Sequence, residues 1–390
     1  MKHRYLLGFG LVAAAVLVAG SMPAFAASGH RAAHQRGPDF SVTWTAGPNA
    51  PFNATRFDGA LVGTKVFFLG FRTDNDATDG SVWYFDMTTS TYTDTGVDMP
   101  IPISNYSPVV LNDAHGQGIY VFGGRTATGQ IIKSTQVYYP ADNMAKIVNT
   151  DPYPGQTPSA CIALPAMGAI GLGNKGYVLG GMSFSTSVPP CIDDQSAQTW
   201  IFDPMGAAGA RWQQGPNLNV ARGYITPAIS GGRIYAIGGD VNQAGTLVAQ
   251  TTVEAWKPGT AAWNDAAVAD LPQACDESQA FTQTAGPVAG DIVLATCGQW
   301  PSGTGDTLWY DLSANSWSLA GAVTLPVRNE AGSFIKVGGK IRMYILGGYD
   351  NTNQFTTPTN VAEIGKAGAL GSDGALHGRA VASAVRVPTN

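Results

Sequence analysis

One short pattern recurs along the chain: a run of strand-forming residues that ends on two glycines. It is present as RIYAIGGD at residues 233–240. GIYVFGGR, GYVLGGM and MYILGGYD repeat it and end on the glycine pairs 123–124, 180–181 and 347–348. Two degenerate copies, KVFFLGFR and DIVLATCGQ, keep one glycine each, Gly70 and Gly298. Glycine tolerates positive φ and close approach of other backbone, which favours it where a crowded strand ends.

The spacing of these copies strongly constrains the fold. We place the first residues of the six pairs at 70, 123, 180, 238, 297 and 347, which gives units of 50–59 residues. Repeats near 50 residues that are rich in short strands are typical of propellers. After each pair comes a second strand pattern, and most units then have one more aromatic residue: Tyr92, Trp212, Trp263 or Trp317.

This arrangement resembles the kelch repeat, in which a diglycine follows an inner strand and a Trp lies in the outermost strand. The resemblance covers residues 40–365 and implies one all-β domain, a six-bladed kelch-type β-propeller of the galactose oxidase-like superfamily. Each blade would be a four-stranded antiparallel sheet whose faces are buried against its neighbours. The sixth unit lacks an outermost strand, and FSVTWTAGP (40–48) reads like ARWQQGP (210–216). We therefore predict that the N-terminal strand bearing Trp44 closes the ring and removes two open edges.

The two ends of the chain are predicted to lie outside the propeller. Residues 1–26 have a basic start, an apolar run and an AFA cleavage site, which together predict a secretory signal peptide. The apolar run is too short for a typical membrane span. We therefore expect a secreted or periplasmic bacterial protein without a stable membrane span after cleavage. Residues 27–39 are predicted to be a flexible leader, and the Gly/Ala-rich residues 366–390 a tail that is disordered or forms one short helix.

Charge argues against one class of partner. The chain has 22 Lys and Arg against 27 Asp and Glu, a formal net charge of −5, and no basic stripe. Nucleic-acid binding relies on clustered basic residues, so nucleic acid is not a predicted partner.

Four cysteines in an exported chain predict two disulfides. In a propeller blade, the loop before strand 1 and the loop between strands 2 and 3 open on the same face, which we call the loop face. Cys161 precedes strand 1 of blade 3, and Cys191 lies in the long 2–3 loop of that blade. Cys275 precedes strand 1 of blade 5, and Cys297 ends its strand 2. The register thus predicts the pairs Cys161–Cys191 and Cys275–Cys297.

The loop face also collects the candidate ligand-binding residues. An arginine recurs before strand 1, at Arg56, Arg222 and Arg328. Arginine pairs with carboxylates through two parallel hydrogen bonds, so an acidic ligand is favoured. The alternative is that these arginines are structural and bind loop carbonyls. The predicted ligand-binding set is Arg56, Arg125, Arg222, Asp240, Trp300, Arg328, Tyr349 and Asp350.

No cofactor or metal site is predicted. The acids Asp74, Asp76 and Asp79 of DNDATDG lack the spacing of a calcium loop, so a solvated turn is expected. Copper oxidases of the galactose oxidase type need two histidine ligands. The only histidine of the predicted propeller is His115, in a turn on the opposite face.

Two functional hypotheses remain. The first is a binding propeller whose loop face recognises a carbohydrate or a protein partner. The second is a sugar-active enzyme similar to bacterial sialic acid mutarotases and epimerases. That family has a Glu directly after a glycine of blade 4 as its base, and an Arg six residues later. Here Asp240 and Thr246 hold those positions, so the acid is kept and the arginine is not. In an enzyme, the candidate acids and bases would be Asp240, Asp276, Glu277 and Glu330.

Overall fold

Each diglycine copy lies at or just beyond the end of the second strand of an antiparallel sheet in the computed structural model. The structure describes residues 40–73, 77–166, 168–184, 189, 191–264, 267–283, 289–299, 302–337, 340–352 and 354–366. All of them belong to one compact unit, 37–390. The predicted signal peptide, the leader, residues 367–390 of the tail, Asp74, Asp76 and Trp300 lie outside the described residues.

The strands follow one another along the chain as short segments. In chain order they are β1 (Phe40–Ala46), β2 (Ala60–Val62), β3 (Lys65–Arg72), β4 (Thr78–Asp86), β5 (Thr91–Asp98), β6 (Pro108–Asn112), β7 (Gln117–Arg125), β8 (Ile131–Tyr139), β9 (Met144–Ile147), β10 (Ala169–Leu172), β11 (Lys175–Leu179), β12 (Thr199–Phe202), β13 (Trp212–Gln214), β14 (Thr226–Ser230), β15 (Arg233–Ile237), β16 (Asp240–Gln243), β17 (Thr246–Ala249), β18 (Val253–Trp256), β19 (Ala280–Thr282), β20 (Ile292–Leu294), β21 (Asp306–Asp311), β22 (Ser316–Ala322), β23 (Val327–Arg328), β24 (Ala331–Val337), β25 (Lys340–Leu346), β26 (Tyr349–Asp350) and β27 (Thr359–Lys366).

The six main sheets are the six blades of a β-propeller. From the inner strand outwards, blades 1 to 6 are β2-β3-β4-β5, β6-β7-β8-β9, β10-β11-β12-β13, β14-β15-β18, β19-β20-β21-β22 and β24-β25-β27-β1. Two further pairs, β16-β17 and β23-β26, lie in the loops of blades 4 and 6. The first strands of all six blades surround the axis and line a central cavity of about 410 Å³.

The N-terminal strand completes the last blade, as predicted. β1 runs antiparallel to β27, and Trp44 lies opposite Ala362. Blade 4 departs from the four-stranded expectation, because residues 257–264 form no strand although they carry Trp263. That indole is nevertheless buried, at 3% exposure, against blade 3.

The glycine pairs are required by the next blade along the chain. Gly238 and Gly347 have φ angles of 56° and 64°. A Cβ on Gly238 would lie 2.1 Å from the carbonyl oxygen of Cys275, and one on Gly347 would lie 2.8 Å from that of Ala54. Both carbonyls belong to the segment that enters the next blade. A side chain at either position would therefore push two blades apart.

The repeat register in blade 5 differs from the prediction by one residue. In blades 4 and 6, the residue after the glycine pair forms a β-bridge with the segment that leads into the first strand of the same blade, the entry segment. Asp240 pairs in this way with Gly223, and Tyr349 with Arg328. In blade 5 the corresponding bridge joins Asp276 to Gly298. Thr296 and Cys297 thus hold the two glycine positions, and the assignment of Cys297 to the first of them is wrong. Gly298 misled the alignment because it lies directly after the pair.

Two disulfides join the pairs that the register predicts. Cys161 is bonded to Cys191 and Cys275 to Cys297, with Cα–Cα distances of 5.6 and 5.0 Å.

The hydrophobic core lies mainly between neighbouring blades. Separate apolar clusters join blades 2 and 3, 3 and 4, 4 and 5, and 5 and 6, and a larger one joins blade 1 to blades 6 and 2.

Candidate ligand-binding site

A ring of six residues surrounds the axis at the loop face, one just before the first strand of each blade. Its members are Arg56, Asn105, Ala166, Tyr224, Glu277 and Asn329, all with positive φ between 29° and 57°. We call this set the axial ring. Such backbone angles are unfavourable for residues other than glycine, and they concentrate at functional sites.

Backbone hydrogen bonds connect part of the axial ring from blade to blade. The amide of Asn105 donates to the carbonyl of Arg56 at 2.6 Å, and the amide of Arg56 donates to that of Asn329 at 2.9 Å. The amide of Asn329 in turn donates to the carbonyl of Glu277 at 3.2 Å. These bonds fix the positions from which the ring side chains project.

A cavity of about 460 Å³ lies against the axial ring. Its described lining comprises Arg56, Arg125, Phe184, Asp193, Tyr224, Asp240, Glu277 and the hairpin-tip residues Gly245, Thr246 and Leu247. Five of the six blades contribute to it. This volume is within the range of small-molecule sites.

Two guanidinium groups give the cavity its positive charge. Arg125 lies with its guanidinium carbon 4.7 Å from the ring centroid of Phe184, and Arg56 lies 5.6 Å from that of Tyr349. Burial lowers the pKa of Arg56, but Tyr224, Tyr349 and Glu277 outweigh this effect and raise the pKa above its ordinary value. Both cations are thus held by aromatic faces inside a largely desolvated site.

The carboxyl groups of the cavity are largely neutralised at neutral pH. Burial, followed by the charges of Glu277 and Asp193, raises the pKa of Asp240 to about 8. Asp240 is 2% exposed, and its Oδ1 has no hydrogen-bond partner among the described residues. Glu277 forms an ion pair with Arg328, with 3.0 Å between Oε2 and Nη1. A protonated Asp240 and a paired Glu277 leave Asp193 as the remaining acidic side chain of the described lining.

Tyr224 adds a neutral donor. Its hydroxyl accepts a 2.9 Å hydrogen bond from Nδ2 of Asn105, on the opposite side of blade 3. Burial raises the pKa of Tyr224, so the phenol keeps its proton. Since Asn105 occupies an acceptor position of the oxygen, the hydroxyl proton can be donated to a ligand.

Arg222 does not reach the cavity, contrary to the prediction. It is fully buried inside blade 4, where Nε donates to the carbonyl of Gly238 at 2.7 Å and Nη2 to that of Ala236 at 3.0 Å. Its Nη1 forms a buried ion pair with Glu254. Arg222 is therefore a structural residue.

Five other predicted residues lie outside the described lining of the cavity. Asp276 is one of them and is 2% exposed. Arg328 packs behind Glu277, 2% exposed, with its guanidinium carbon 4.7 Å from the Tyr349 ring centroid. The Tyr349 ring lies beneath the guanidinium groups of Arg56 and Arg328. Asp350 accepts hydrogen bonds from Thr352 and Gln354 within its own turn. Glu330 is fully buried, and its Oε1 accepts a 2.8 Å bond from Thr296. Of the predicted set, the structure brings together Arg56, Arg125 and Asp240, and of the predicted catalytic acids Glu277 as well.

The recurring arginine was misleading because it does not recur at one position of the fold. The carbonyl of Arg222 accepts a hydrogen bond from the amide of the second glycine in the preceding blade. The carbonyl of Ala54 accepts the equivalent bond from the blade before its own. Arg222 is therefore equivalent to Ala54, and Tyr224 to Arg56. Arg328 is equivalent to Thr55, because each pairs with the residue that follows the glycine positions of its own blade, Tyr349 and Arg72. Alignment on the strand starts would have identified Tyr224; Phe184 and Asp193 have no comparable signal.

Comparison with known proteins gives relatives for parts of the chain only. No family model matches it. Beta-scruin and alpha-scruin of Limulus polyphemus are 26% and 27% identical over 181 and 164 residues, which is 46% and 41% of this chain and 18% and 16% of theirs. The F-box/kelch-repeat protein At2g44630 of Arabidopsis thaliana is 30% identical over 113 residues, 28% of this chain and 27% of its own length. The chain thus spans 16–27% of the curated relatives it matches.

The chain is a six-bladed β-propeller whose repeats are similar to those of kelch-repeat proteins. A solved structure entitled "Structure of YjhT" has the same fold as this kelch propeller, with a TM-score of 0.60 and 13% identity over 80% of this chain and 95% of that one. Within its described residues, the propeller has no helix with the length and apolar character of a membrane span. Its two disulfides are typical of an oxidising compartment.

Proposed function

We propose that this kelch propeller is an exported binding protein whose axial cavity takes a small carboxylate-bearing ligand, an acidic carbohydrate. One observation carries the proposal: Arg56 and Arg125 line a cavity in which burial raises the pKa of Asp240 to about 8 and Glu277 is paired with Arg328, so that two guanidinium groups stand against the one remaining acid of the described lining, Asp193. The net charge offered to a ligand is therefore positive, although the whole chain is negative.

The remaining lining residues support a carbohydrate as the occupant. The Tyr224 hydroxyl and the Oδ1 of Asp240 are polar groups suited to sugar hydroxyls, and the Phe184 and Leu247 side chains supply an apolar side. Few placed polar groups within a partly apolar pocket are typical of small-molecule sites. Export is proposed from the predicted signal peptide and agrees with the disulfides.

The test is a calorimetric titration of the purified mature protein with glucuronic acid, with glucose as the neutral counterpart. We expect glucuronic acid to bind and glucose to bind far more weakly. Arg56→Ala and Arg125→Ala should each weaken binding by about 1.5–3 kcal/mol, since each removes a charged hydrogen bond. Arg342→Ala is the matched control, because Arg342 is an exposed arginine paired with Glu363 on blade 6.

Equal affinity for the acid and the neutral sugar would overturn the acidic-ligand proposal. If no sugar binds but an Asp/Glu-rich peptide does, and Arg56→Ala weakens that binding, the ligand is a protein partner and not a carbohydrate.

A sugar-active enzyme is a second candidate, favoured by the raised pKa of Asp240. A cavity carboxyl with a pKa of about 8 is suited to proton transfer near neutral pH. Glu277 lines the same cavity, whereas Glu330 is buried away from the described lining. NMR of sialic acid anomer exchange would decide, with Asp240→Asn as the comparison: catalysis requires acceleration by the wild type that this variant loses.

A further inference from the structure

One side of the cavity is built by two loop segments from different blades. The first is the β16–β17 hairpin of blade 4, whose tip residues 245–247 face the cavity. The second is segment 191–194 of blade 3, which supplies Asp193. We call these two segments together the cavity wall. A side-chain hydrogen bond joins them, from Nδ2 of Asn242 to the carbonyl of Asp193 at 3.2 Å.

The hairpin is longer than its counterparts in blades 1, 2 and 6, and its tip reaches the cavity. In blades 1, 2 and 6, the residue after the glycine pair forms a β-pair with a residue six positions later in the sequence. These pairs are Arg72 with Thr78, Arg125 with Ile131 and Tyr349 with Phe355. In blade 4 the same pairing joins Asp240 to Ala249, nine positions apart. The three additional residues extend the hairpin toward blade 3.

Asn242 also shapes the hairpin tip. Its Oδ1 accepts the amide of Gly245 at 2.7 Å, and Ala244 and Gly245 both have positive φ, 53° and 86°. These are the angles of a tight two-residue hairpin turn. Leu247 packs against the apolar cluster that contains Phe184 and Tyr224. One asparagine therefore both holds the turn and attaches it to blade 3.

The blade 3 segment is fixed by the Cys161–Cys191 disulfide. Cys191 lies two residues before Asp193, and Cys161 lies in the entry loop of the same blade. A second bond supports this attachment, from the amide of Ser159 to Oδ2 of Asp194 at 3.0 Å. The other disulfide differs in its surroundings, because Cys275 and Cys297 are each 1% exposed within the apolar cluster between blades 4 and 5.

We infer that Cys161 and Cys191 are positioning residues for the ligand cavity: their disulfide holds segment 191–194, and Asn242 transmits that position to the β16–β17 hairpin. The effect on ligand affinity rests on the proposed function, whereas the effect on the hairpin does not. Loss of the disulfide would remove the attachment at Cys191, while the bonds of Asp194 to Ser159 and Ser183 remain. Asp193 and the hairpin tip would therefore be held less firmly, and one side of the cavity would lose its fixed shape.

The first test needs no ligand. Hydrogen exchange followed by mass spectrometry should show amides of residues 240–249 exchanging about tenfold faster in Cys161→Ala/Cys191→Ala and in Asn242→Ala than in wild type, since local opening governs exchange. Asn174→Ala is the matched control. Asn174 also bridges two blades through its amide, to Asn112, on the face opposite the cavity. It should leave the hairpin unchanged.

Unchanged hairpin exchange in the cysteine variant would overturn the inference. Should that variant fail to fold, Asn242→Ala decides: unchanged exchange in it refutes the connection between the two segments.

The second test uses glucuronic acid as the probe. Cys161→Ala/Cys191→Ala should raise its dissociation constant about tenfold, while Asn174→Ala, on the face opposite the cavity, leaves that constant unchanged. Equal affinity in wild type and the first variant would refute the positioning role alone. Absence of binding by wild type would refute the proposed function, and the exchange experiment would still judge the positioning role.

Discussion

The indole Nε1 of Trp44 donates a 2.7 Å hydrogen bond to Oγ1 of Thr307, across the boundary between blade 6 and blade 5. Both residues are buried, and Thr307 in turn donates to the carbonyl of Ala295 at 2.8 Å. The same contact recurs between blades 4 and 3, where Trp263 donates to Thr199 at 3.1 Å. The outer aromatic thus fastens a blade to the preceding one, and Trp44 performs this task at the closure of the ring.

Trp44→Phe should therefore destabilise the propeller beyond the loss of apolar area. The change leaves a buried threonine hydroxyl without its donor, which costs about 1–3 kcal/mol of unfolding free energy. Urea denaturation of Trp44→Phe, Thr307→Val and the double variant measures the coupling. Trp83→Phe is a control, because its indole bonds to Ser81 in the same strand. Strictly additive effects would show that the hydrogen bond contributes nothing.

Deletion of residues 27–48 should have a larger effect. It removes β1, which pairs along its whole length with β27, and leaves an open edge on blade 6. We expect a lower melting temperature and a broader transition in calorimetry than for the protein beginning at residue 27. Identical melting curves would contradict the role of β1 in closure.

Arg222→Ala should unfold the protein more readily without changing the cavity. It leaves the Glu254 carboxylate buried without its cation, and breaking such a pair costs about 3–5 kcal/mol. Replacing both residues, as Arg222→Met/Glu254→Leu, should recover part of this loss. Urea denaturation gives the stability, and glucuronic acid titration of the folded protein should give wild-type affinity. A large loss of affinity in folded protein would return Arg222 to the ligand site.

Glu330→Gln should stabilise the protein more at high pH than at low pH. Burial raises the pKa of Glu330 from its ordinary 4.5 to about 8. The folded state therefore holds a proton that the unfolded state releases, and this carboxyl makes stability fall as pH rises from about 4.5 to about 8, by about 1.4 kcal/mol per unit of pKa difference. The melting-temperature gap between variant and wild type should widen from pH 5 to pH 8.5. A gap independent of pH would refute the raised pKa.

Binding of an acidic ligand should weaken as pH rises through about 8. Above that pH, Asp240 becomes a carboxylate that competes with the ligand for Arg56 and Arg125 and repels it. Asp240→Asn should remove this pH dependence, as measured by glucuronic acid titration between pH 6 and 9. Persistence of the same decline in Asp240→Asn would assign it to another group.

The repeat pattern predicted the architecture well because it records backbone requirements. The glycine pairs, the blade count, the closing strand and the disulfide pairing all follow from spacing, and spacing survives small local changes. The placement of side chains near the axis does not follow from the spacing of the repeats. Arg56, Arg328 and Arg222 lie at three consecutive positions of the entry segment, and one residue of register there separates a cavity side chain from a buried ion pair. The hairpin tip could not be foreseen either, since its place depends on a bond from Asn242 to another blade.

The backbone of the axial ring has a consequence for the charge that the cavity presents to a ligand. Its three blade-to-blade hydrogen bonds all point in the same direction, from Asn105 to Arg56, from Arg56 to Asn329 and from Asn329 to Glu277. Peptide dipoles arranged in this way circulate around the axis instead of adding up along it. At these positions the peptide dipoles therefore do not align along the axis, in contrast to the end of a helix. In the proposed site the sign of the charge is therefore set by side chains, by Arg56 of the ring and Arg125 beside it, and not by the backbone frame that carries them.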